Sequence, residues 1–394
     1  MDFISDCLAE IRYQELYRQT YTYYPSDATH VRIDGEEYLM LAANNYLGLT
    51  HCPAVQQAAA EAIKEYGTGS GGARLTTGTH PLYPLLEQEI AAFKGTEAAV
   101  VFNTGYMANV GAISAIAGKG DVIFSDELNH ASIIDGCRLS KAHTAVFRHS
   151  DMDHLATLLM QTACSGRKLI VVDGVFSMDG DIAPLDTIVE LAEQYDAMVM
   201  VDDAHATGVI GPGGRGTAAY FGLKDRVLLQ MGTLSKALAA EGGYIAGSRK
   251  VVEYLINKAR SFIFSTALSP ATIAAGLAAL RQVSARPELI ARLANNAHIM
   301  RQLLLGAGCS IGQGITPIIP VMVGSAGTAV ALARELKNDG MIVTAIRPPT
   351  VPAGTSRLRL TVSAAHEVSQ LAQAAQKIGA AVTKFRILER KTGP

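Results

Sequence analysis

The sequence predicts an α/β protein with a mostly parallel seven-stranded central sheet, helices on both faces, and a smaller α+β C-terminal domain. Three observations lead there. Short apolar runs recur through the middle of the chain with helical stretches between them. The runs are apolar throughout rather than alternating, as strands buried on both faces are. Several of them end in Gly, Ser, Asp or Thr, the positions where ligands sit in open α/β sheets.

The runs are Ala98–Phe102, Asp121–Phe124, Thr144–Phe147, Leu169–Val172, Met198–Val201, Val227–Met231 and Tyr244–Ala246. Between and beyond them, Leu185–Gln194 and Val251–Arg260 carry helical spacing. From about Ser269 the chain turns to Ala/Leu-rich helix, then to strands at Thr316–Val323 and Arg357–Val362 beside further helices. The first fifty residues read as a polar helix and a hairpin around Asp34-Gly35, packed on that C-terminal part. This divides the chain into an N-terminal segment 1–50, a large domain 51–268 and a small domain 269–394.

The chain has 394 residues, enough for roughly two or three domains and a large core. Hydrophobic residues at 49% against 18% charged fit a compact enzyme and argue against disorder. Net charge is −2, from 34 basic and 36 acidic residues without blocks of like charge, so no basic stripe suits nucleic acid or an anionic membrane. The five cysteines, Cys7, Cys52, Cys137, Cys164 and Cys309, are scattered and lack metal-ligand spacing. They read as reduced thiols. The N-terminal residues lack the basic-then-apolar order of a signal peptide, and the expected location is cytoplasmic.

One motif misleads. Gly67–Gly72 satisfies G-x-G-x-x-G, but a dinucleotide loop follows a strand, and Ala54–Glu65 before it is helical by pattern. It reads as a flexible turn near the active site.

Chemistry gathers at the strand ends. Lys236 follows the run Val227–Met231 within Gly232-Thr233-Leu234-Ser235-Lys236, and Asp202-Asp203-Ala204-His205 closes the run before it. A lysine amine for a Schiff base, and a carboxylate to keep a pyridine nitrogen protonated, are what pyridoxal phosphate requires. His205 supplies a polar partner for its phenolate oxygen. Thr233 and Ser235 supply small donors for its phosphate. The backbone amides of Gly105 and Tyr106, at a helix start after Ala98–Phe102, offer an anion site. His130, just past another strand, is placed to stack on the ring and move protons. Ser177 can reach the same face. Asp203 leaves its strand on the side opposite Asp202. Other classes remain: a hydrolase with Asp202, Asp203 and His205 on a metal would leave Lys236 idle, and a nicotinamide enzyme would rest on Gly67–Gly72. No metal is expected.

Six ordered motifs carry a resemblance: Asn44–Leu49 (NNYLGL), Gly67–Gly78 (GTGSGGARLTTG), Ser125–Gly136 (SDELNHASIIDG), Asp173–Asp181 (DGVFSMDGD), Val201–Gly208 (VDDAHATG) and Gly232–Ala237 (GTLSKA). Together they resemble the α-oxoamine synthases, fold-type I pyridoxal-phosphate acyltransferases, over residues of about 30 to 370. The resemblance implies a homodimer with shared active sites and a decarboxylative condensation of a small amino acid with an acyl thioester. It assigns catalysis to Lys236, His130, Asp202 and His205. The cofactor would be held by these four together with Gly105, Tyr106, Ser177 and Thr233, and Thr266 would reach the neighbouring subunit's phosphate. Arg18, Asn45, Thr350 and Arg359 would meet substrate. Of Arg357 and Arg359, expected on opposite faces of their strand, Arg359 takes the carboxylate. The segment Ile346–Thr355 is similar to the biotin-pathway branch, which joins L-alanine to a pimeloyl thioester of coenzyme A or acyl carrier protein. The glycine-using branches carry a Tyr-Pro pair there, and glycine or serine is the alternative amino acid. The N-terminal arginines of some members are reduced here to Arg12 and Arg18, among Tyr17, Tyr21, Tyr23 and Tyr24.

Overall fold

The structure, a computed structural model, describes residues 2–14, 16–18 and 20–392. In chain order its strands are β1 (Tyr24–Pro25), β2 (His30–Ile33), β3 (Glu36–Met40), β4 (Ala98–Phe102), β5 (Val122–Asp126), β6 (His143–Phe147) and β7 (Lys168–Asp173). They continue as β8 (Ala197–Asp202), β9 (Leu229–Thr233), β10 (Gly243–Gly247), β11 (Ile318–Gly324), β12 (Met341–Ile342), β13 (Thr344–Ile346) and β14 (Ser356–Thr361).

The seven-stranded sheet has the order β4-β10-β9-β8-β7-β5-β6. Only β10 runs antiparallel to its neighbours. The inner strands are buried on both sides because helices cover both faces, while the edge strand β6 leaves His143 and Val146 exposed. Pro53–Tyr66, Leu82–Lys94 and Pro270–Ala285 bury one apolar cluster, and Gly105–Ile116 with Arg249–Lys258 buries another. Helix starts are capped locally: the hydroxyls of Thr104, Ser248 and Ser269 accept from Met107, Val251 and Thr272 amides. The fold class expected from the sequence is the one observed.

Boundaries moved where pairing decides them. β9 extends two residues past the apolar run, to Thr233, because Gly243 of β10 pairs with it. The expected helix Val251–Arg260 is Arg249–Lys258, broken at Ala259, whose extended backbone (φ −70°, ψ 107°) restarts a short turn of helix at Arg260. β12 and β13 are too short to show a period and were not legible.

A three-stranded sheet, β11-β14-β13, forms the centre of the C-terminal part, packed by Glu288–Gly306, Ala326–Asn338 and Val368–Thr392. The N-terminal hairpin turns at Asp34 (φ 51°) and Gly35 (φ 89°), the left-handed pair that a two-residue hairpin loop needs. Its β3 pairs with β12, joining the first fifty residues to the C-terminal part. Among the described residues no helix is long and apolar enough to cross a membrane.

Behind β8 lies a fully buried ion pair, Lys94 Nζ to Asp203 Oδ2 at 2.6 Å. Lys94 also donates to the Arg215 carbonyl, and Asp203 accepts from the Thr217 amide. Burial alone would lower the lysine pKa, but the Asp203 charge reverses this and raises it. Removing one partner strands the other charge without water. Lys94→Met is therefore expected to lose about 3–5 kcal/mol in chemical denaturation. Glu193→Gln, which cuts the exposed pair with Arg226, should leave the midpoint unchanged.

Candidate active site

Five parallel strands and their loops bring the chemistry together at the carboxyl edge of the sheet. Asp173 and Asp202 end β7 and β8 side by side, in register with each other. Thr233 ends β9, and Lys236 follows it. The loop after β5 carries His130, and the helix Gly105–Ile116 starts just past β4.

Asp202 is buried and held from two directions. Its Oδ2 accepts from Asn109 Nδ2 at 2.6 Å, and Oδ1 accepts from the Ala204 amide at 2.9 Å. Asn109 reaches it from the second turn of the helix, and its amide also donates to Ser132. Beside it, Asp173 accepts from the His130 amide at 2.8 Å. Burial, and then the charge of Asp202, push the Asp173 carboxyl well above the usual carboxylate range.

The Lys236 amine has no hydrogen-bond partner among the described residues. Burial pulls it down to about 8, against the opposing charges of Asp202 and Asp173; Arg359 lowers it further. His205 is also buried, with Nδ1 2.7 Å from the Tyr46 hydroxyl. Burial first, then the charges of Lys236 and Arg359, hold it well below its ordinary value, so its ring is neutral. Burial lowers His130 as well. Its Nδ1 accepts from the Ser132 amide at 3.3 Å, which puts the ring proton of the neutral form on Nε2.

The helix start is unclaimed on its anion-binding side. Thr104 caps Met107, while the amides of Gly105 and Tyr106 have no acceptor among the described residues. Tyr106 contributes only that amide, since its hydroxyl turns outward to Asp135. Gly105 packs so closely that an added Cβ would lie 2.9 Å from Met231 Cε and 3.5 Å from Thr233 Cβ. A side chain there would have to push the end of the Met231 side chain aside. The Thr233 hydroxyl donates to the Gly242 carbonyl at 2.7 Å, so it must rotate to serve a phosphate.

Substrate candidates fare unevenly. Arg359 donates through Nε to the Ser177 carbonyl and through Nη2 to Asn44 Oδ1 at 3.2 Å. Asn44 in turn accepts from Tyr46, tying Arg359 to the His205 network. The expectation that Arg357 and Arg359 face opposite ways does not hold. They are two residues apart on β14 and share a face, Arg357 pairing with Asp179 in the same loop that Arg359 touches, while Leu358 is buried behind them. Asn45 is drawn away, its amide donating to Thr50 Oγ1 at 2.8 Å and to the Ala28 carbonyl, and Asn44 stands against Arg359 instead. Arg18 and Thr350 line a cleft of about 960 Å³ with Tyr17, Arg334 and Arg347, which also includes Ala42 and Ala43 beside Asn44. Arg12 lies over the Tyr17 ring at 4.5 Å and is not among the cleft residues. Thr266 is exposed, its carbonyl accepting from Asn103.

Asn44, Tyr46 and Asp173 lie inside the motifs, and Asn109 in the helix that Gly105 starts, but spacing along the chain gives none of them a role. Their partners, tens to hundreds of residues away, come only with the fold. A metal reading of Asp202, Asp203 and His205 fails on geometry, because the two carboxylates leave β8 on opposite sides. The residues do fit pyridoxal phosphate: an unpartnered amine, an anchored carboxylate, a neutral histidine and two free helix-start amides converge.

Known proteins agree with this arrangement. The aminotransferase class I and II family matches residues 36–378. The 8-amino-7-oxononanoate synthase of Geobacter sulfurreducens is 52% identical over 93% of this chain and 94% of its own. That of Lysinibacillus sphaericus is 50% identical over 94% and 95%. Among solved structures, a serine palmitoyltransferase from S. paucimobilis with a bound PLP–myriocin aldimine superposes with a TM-score of 0.92 at 32% identity, covering 98% of both chains. The 8-amino-7-oxononanoate synthase of Francisella tularensis gives 0.75 at 28% identity, covering 89% of this chain and 99% of its own. On the site, the fold and these likenesses, the chain belongs to the aminotransferase class I and II family.

Proposed function

We propose that this protein is a pyridoxal-phosphate enzyme that condenses L-alanine with a pimeloyl thioester, releasing carbon dioxide and the free thiol, to form 8-amino-7-oxononanoate for biotin synthesis. One observation carries the reading: an unpartnered Lys236 amine faces the Asn109-anchored Asp202 at adjacent strand ends, in a chain about half identical over nearly its whole length to synthases of that product.

When bound, pyridoxal phosphate supplies a carbonyl that captures amines and a ring that accepts the electron pair released at the substrate α-carbon. Lys236 would hold it through Nζ and, once displaced by the amino acid, take the α-proton; an amine near pKa 8 is matched to that work. Asp202, fixed by Asn109 and the Ala204 amide, would hold the proton on the pyridine nitrogen. Neutral His205 would face the phenolate oxygen, and the Gly105 and Tyr106 amides with Thr233 the phosphate. His130, carrying its proton on Nε2, would stack above the ring and assist at the acyl carbonyl. Arg359 would bind the amino-acid carboxylate with a planar two-point contact.

The cleft beside Ala42 and Ala43 suits an acyl chain ending in a carboxylate. Met40, Ile342 and Ile346 give it apolar walls, and Arg18, Arg334 and Arg347 give it cations. The protein would work as a homodimer, with Thr266 turned to the partner's phosphate.

Steady-state rates with L-alanine, glycine and L-serine against acetyl, succinyl, pimeloyl and palmitoyl thioesters test the assignment. Alanine with the pimeloyl thioester should be fastest. Some glycine turnover is expected, since one methyl is worth only about 1–3 kcal/mol in a pocket. Efficient glycine with acetyl-coenzyme A, and no pimeloyl turnover, would move the assignment to a glycine-using synthase. Lys236→Ala should lose several orders of magnitude in kcat while retaining its fold by circular dichroism. The Lys236 amine should also react with a small amine-selective reagent in the apoprotein with a midpoint near pH 8. Asp202→Asn removes a charge that raises this pKa, so mass-spectrometric labelling should show the midpoint move down, not up.

A further inference from the structure

Outside the cleft, one histidine joins both loops that hold the site. His149 follows β6, a segment that none of the six motifs contains. Its Nδ1 lies 3.1 Å from Asp126 Oδ1 and 3.2 Å from Oδ2; its Nε2 lies 3.0 Å from Asp181 Oδ2. Its ring meets the edge of Phe176 with centroids 4.4 Å apart. Both nitrogens face carboxylate oxygens, and only the imidazolium can donate from both. Burial would lower its pKa, but the hydrogen bonds to Asp126 and Asp181 outweigh burial and hold it near about 10.

Each carboxylate belongs to a loop with a job. Asp126 ends β5 and also accepts from the Leu128 and Ser150 amides, fixing the turn that leads to His130. Asp181 closes the Phe176–Asp181 loop, where its carbonyl accepts from the Phe176 amide. That loop presents the Ser177 carbonyl to Arg359 and Asp179 to Arg357. On the other side, only Thr316 Oγ1 to the Gly180 carbonyl, at 2.7 Å, and the Arg357 and Arg359 contacts tie the loop to the C-terminal part by side-chain hydrogen bonds among the described residues. The loop closes on itself through the Val175–Ile182 bridge and the Phe176 and Gly180 amides, and side chains fix its outer end from two sides, the C-terminal sheet and the His149 bridge.

We propose that His149 is a positioning residue for the amino-acid substrate: by bridging Asp126 to Asp181 it sets the loop against which Ser177 orients the Arg359 guanidinium. This rests on the reading that Arg359 receives the amino-acid carboxylate. His149 touches neither substrate nor cofactor; it acts through Asp181, the loop and Arg359. A planar two-point contact tolerates little displacement, so a loose loop weakens amino-acid binding while leaving the thioester cleft alone.

The test uses the holoenzyme with His149→Gln, Asp181→Asn and Arg359→Lys singly, the double variant His149→Gln with Asp181→Asn, and Arg359→Lys placed in the His149→Gln background. Dissociation constants for L-alanine, glycine and L-serine are read from the change in cofactor absorbance, beside KM for the thioester. Each single variant should raise the amino-acid constant on the order of 10-fold and leave the thioester KM unchanged. The double variant should be no worse than the weaker single one, because both cut one bridge. Arg359→Lys should cost less in the His149→Gln background than in the wild type. If His149→Gln does not fold, Asp181→Asn decides, since it keeps the Asp126 contact. Unchanged amino-acid constants in the folded variants, or equal losses for both substrates, would overturn the proposal alone. A wild-type spectrum that responds to none of the three amino acids would sink the substrate reading, and this proposal with it.

Discussion

Two adjacent carboxylates at the end of β8 serve opposite sides of the molecule, because successive side chains of a strand leave on opposite faces. Asp202 turns toward Asn109 and the cleft; Asp203 turns back to Lys94 under the sheet. The second pair holds the first in place. Asp203 ties β8 to the helix Leu82–Lys94 and to the Arg215–Thr217 turn, so the strand end cannot drift, and Asp202 inherits that rigidity. A one-residue slip of register would put Asp203 opposite Asn109 and Asp202 opposite Lys94, and ruin both arrangements.

Desolvation then sets the electrostatics of the cleft. Lys236, His205 and His130 are each pushed toward their neutral forms by burial, and Asp173 is pushed toward its protonated form. The pattern keeps unpaired charge low in a buried site and leaves the Lys236 amine, at about 8, ready to exchange a proton close to neutral pH. Arg359 is the exception, a permanent cation whose guanidinium is spread over a backbone carbonyl and an amide oxygen rather than neutralised by an acid. Such a cation retains its attraction for an incoming carboxylate. Arg357, two residues earlier, is neutralised by Asp179 and reads as structural.

The carboxyl edge of the sheet is also where long-range tethers meet. The Phe176–Asp181 loop hangs between β14 and the His149 bridge, and the His130 turn hangs from Asp126 and Asp173. These contacts join the loops that follow the neighbouring strands β5, β6 and β7 and tie them to β14. Arg359 and His130 are thus set by loops, and the loops by side chains such as His149 that lie behind them.

By itself the sequence determined the alternation of strands and helices and the strand ends that carry Lys236, Asp202, His205 and His130. Apolar periodicity and turn residues are local signals, and parallel strands put their loops on one edge. Tertiary structure decided what local order could not: that Asn44 rather than Asn45 meets Arg359, that Asn109 anchors Asp202, and that His149 joins two loops. Each of these depends on side chains from distant elements meeting at hydrogen-bond distance, and no spacing along the chain encodes that meeting. The register of β9 against β10 was likewise settled by pairing across strands, which carried the strand on to Thr233 beyond its apolar run.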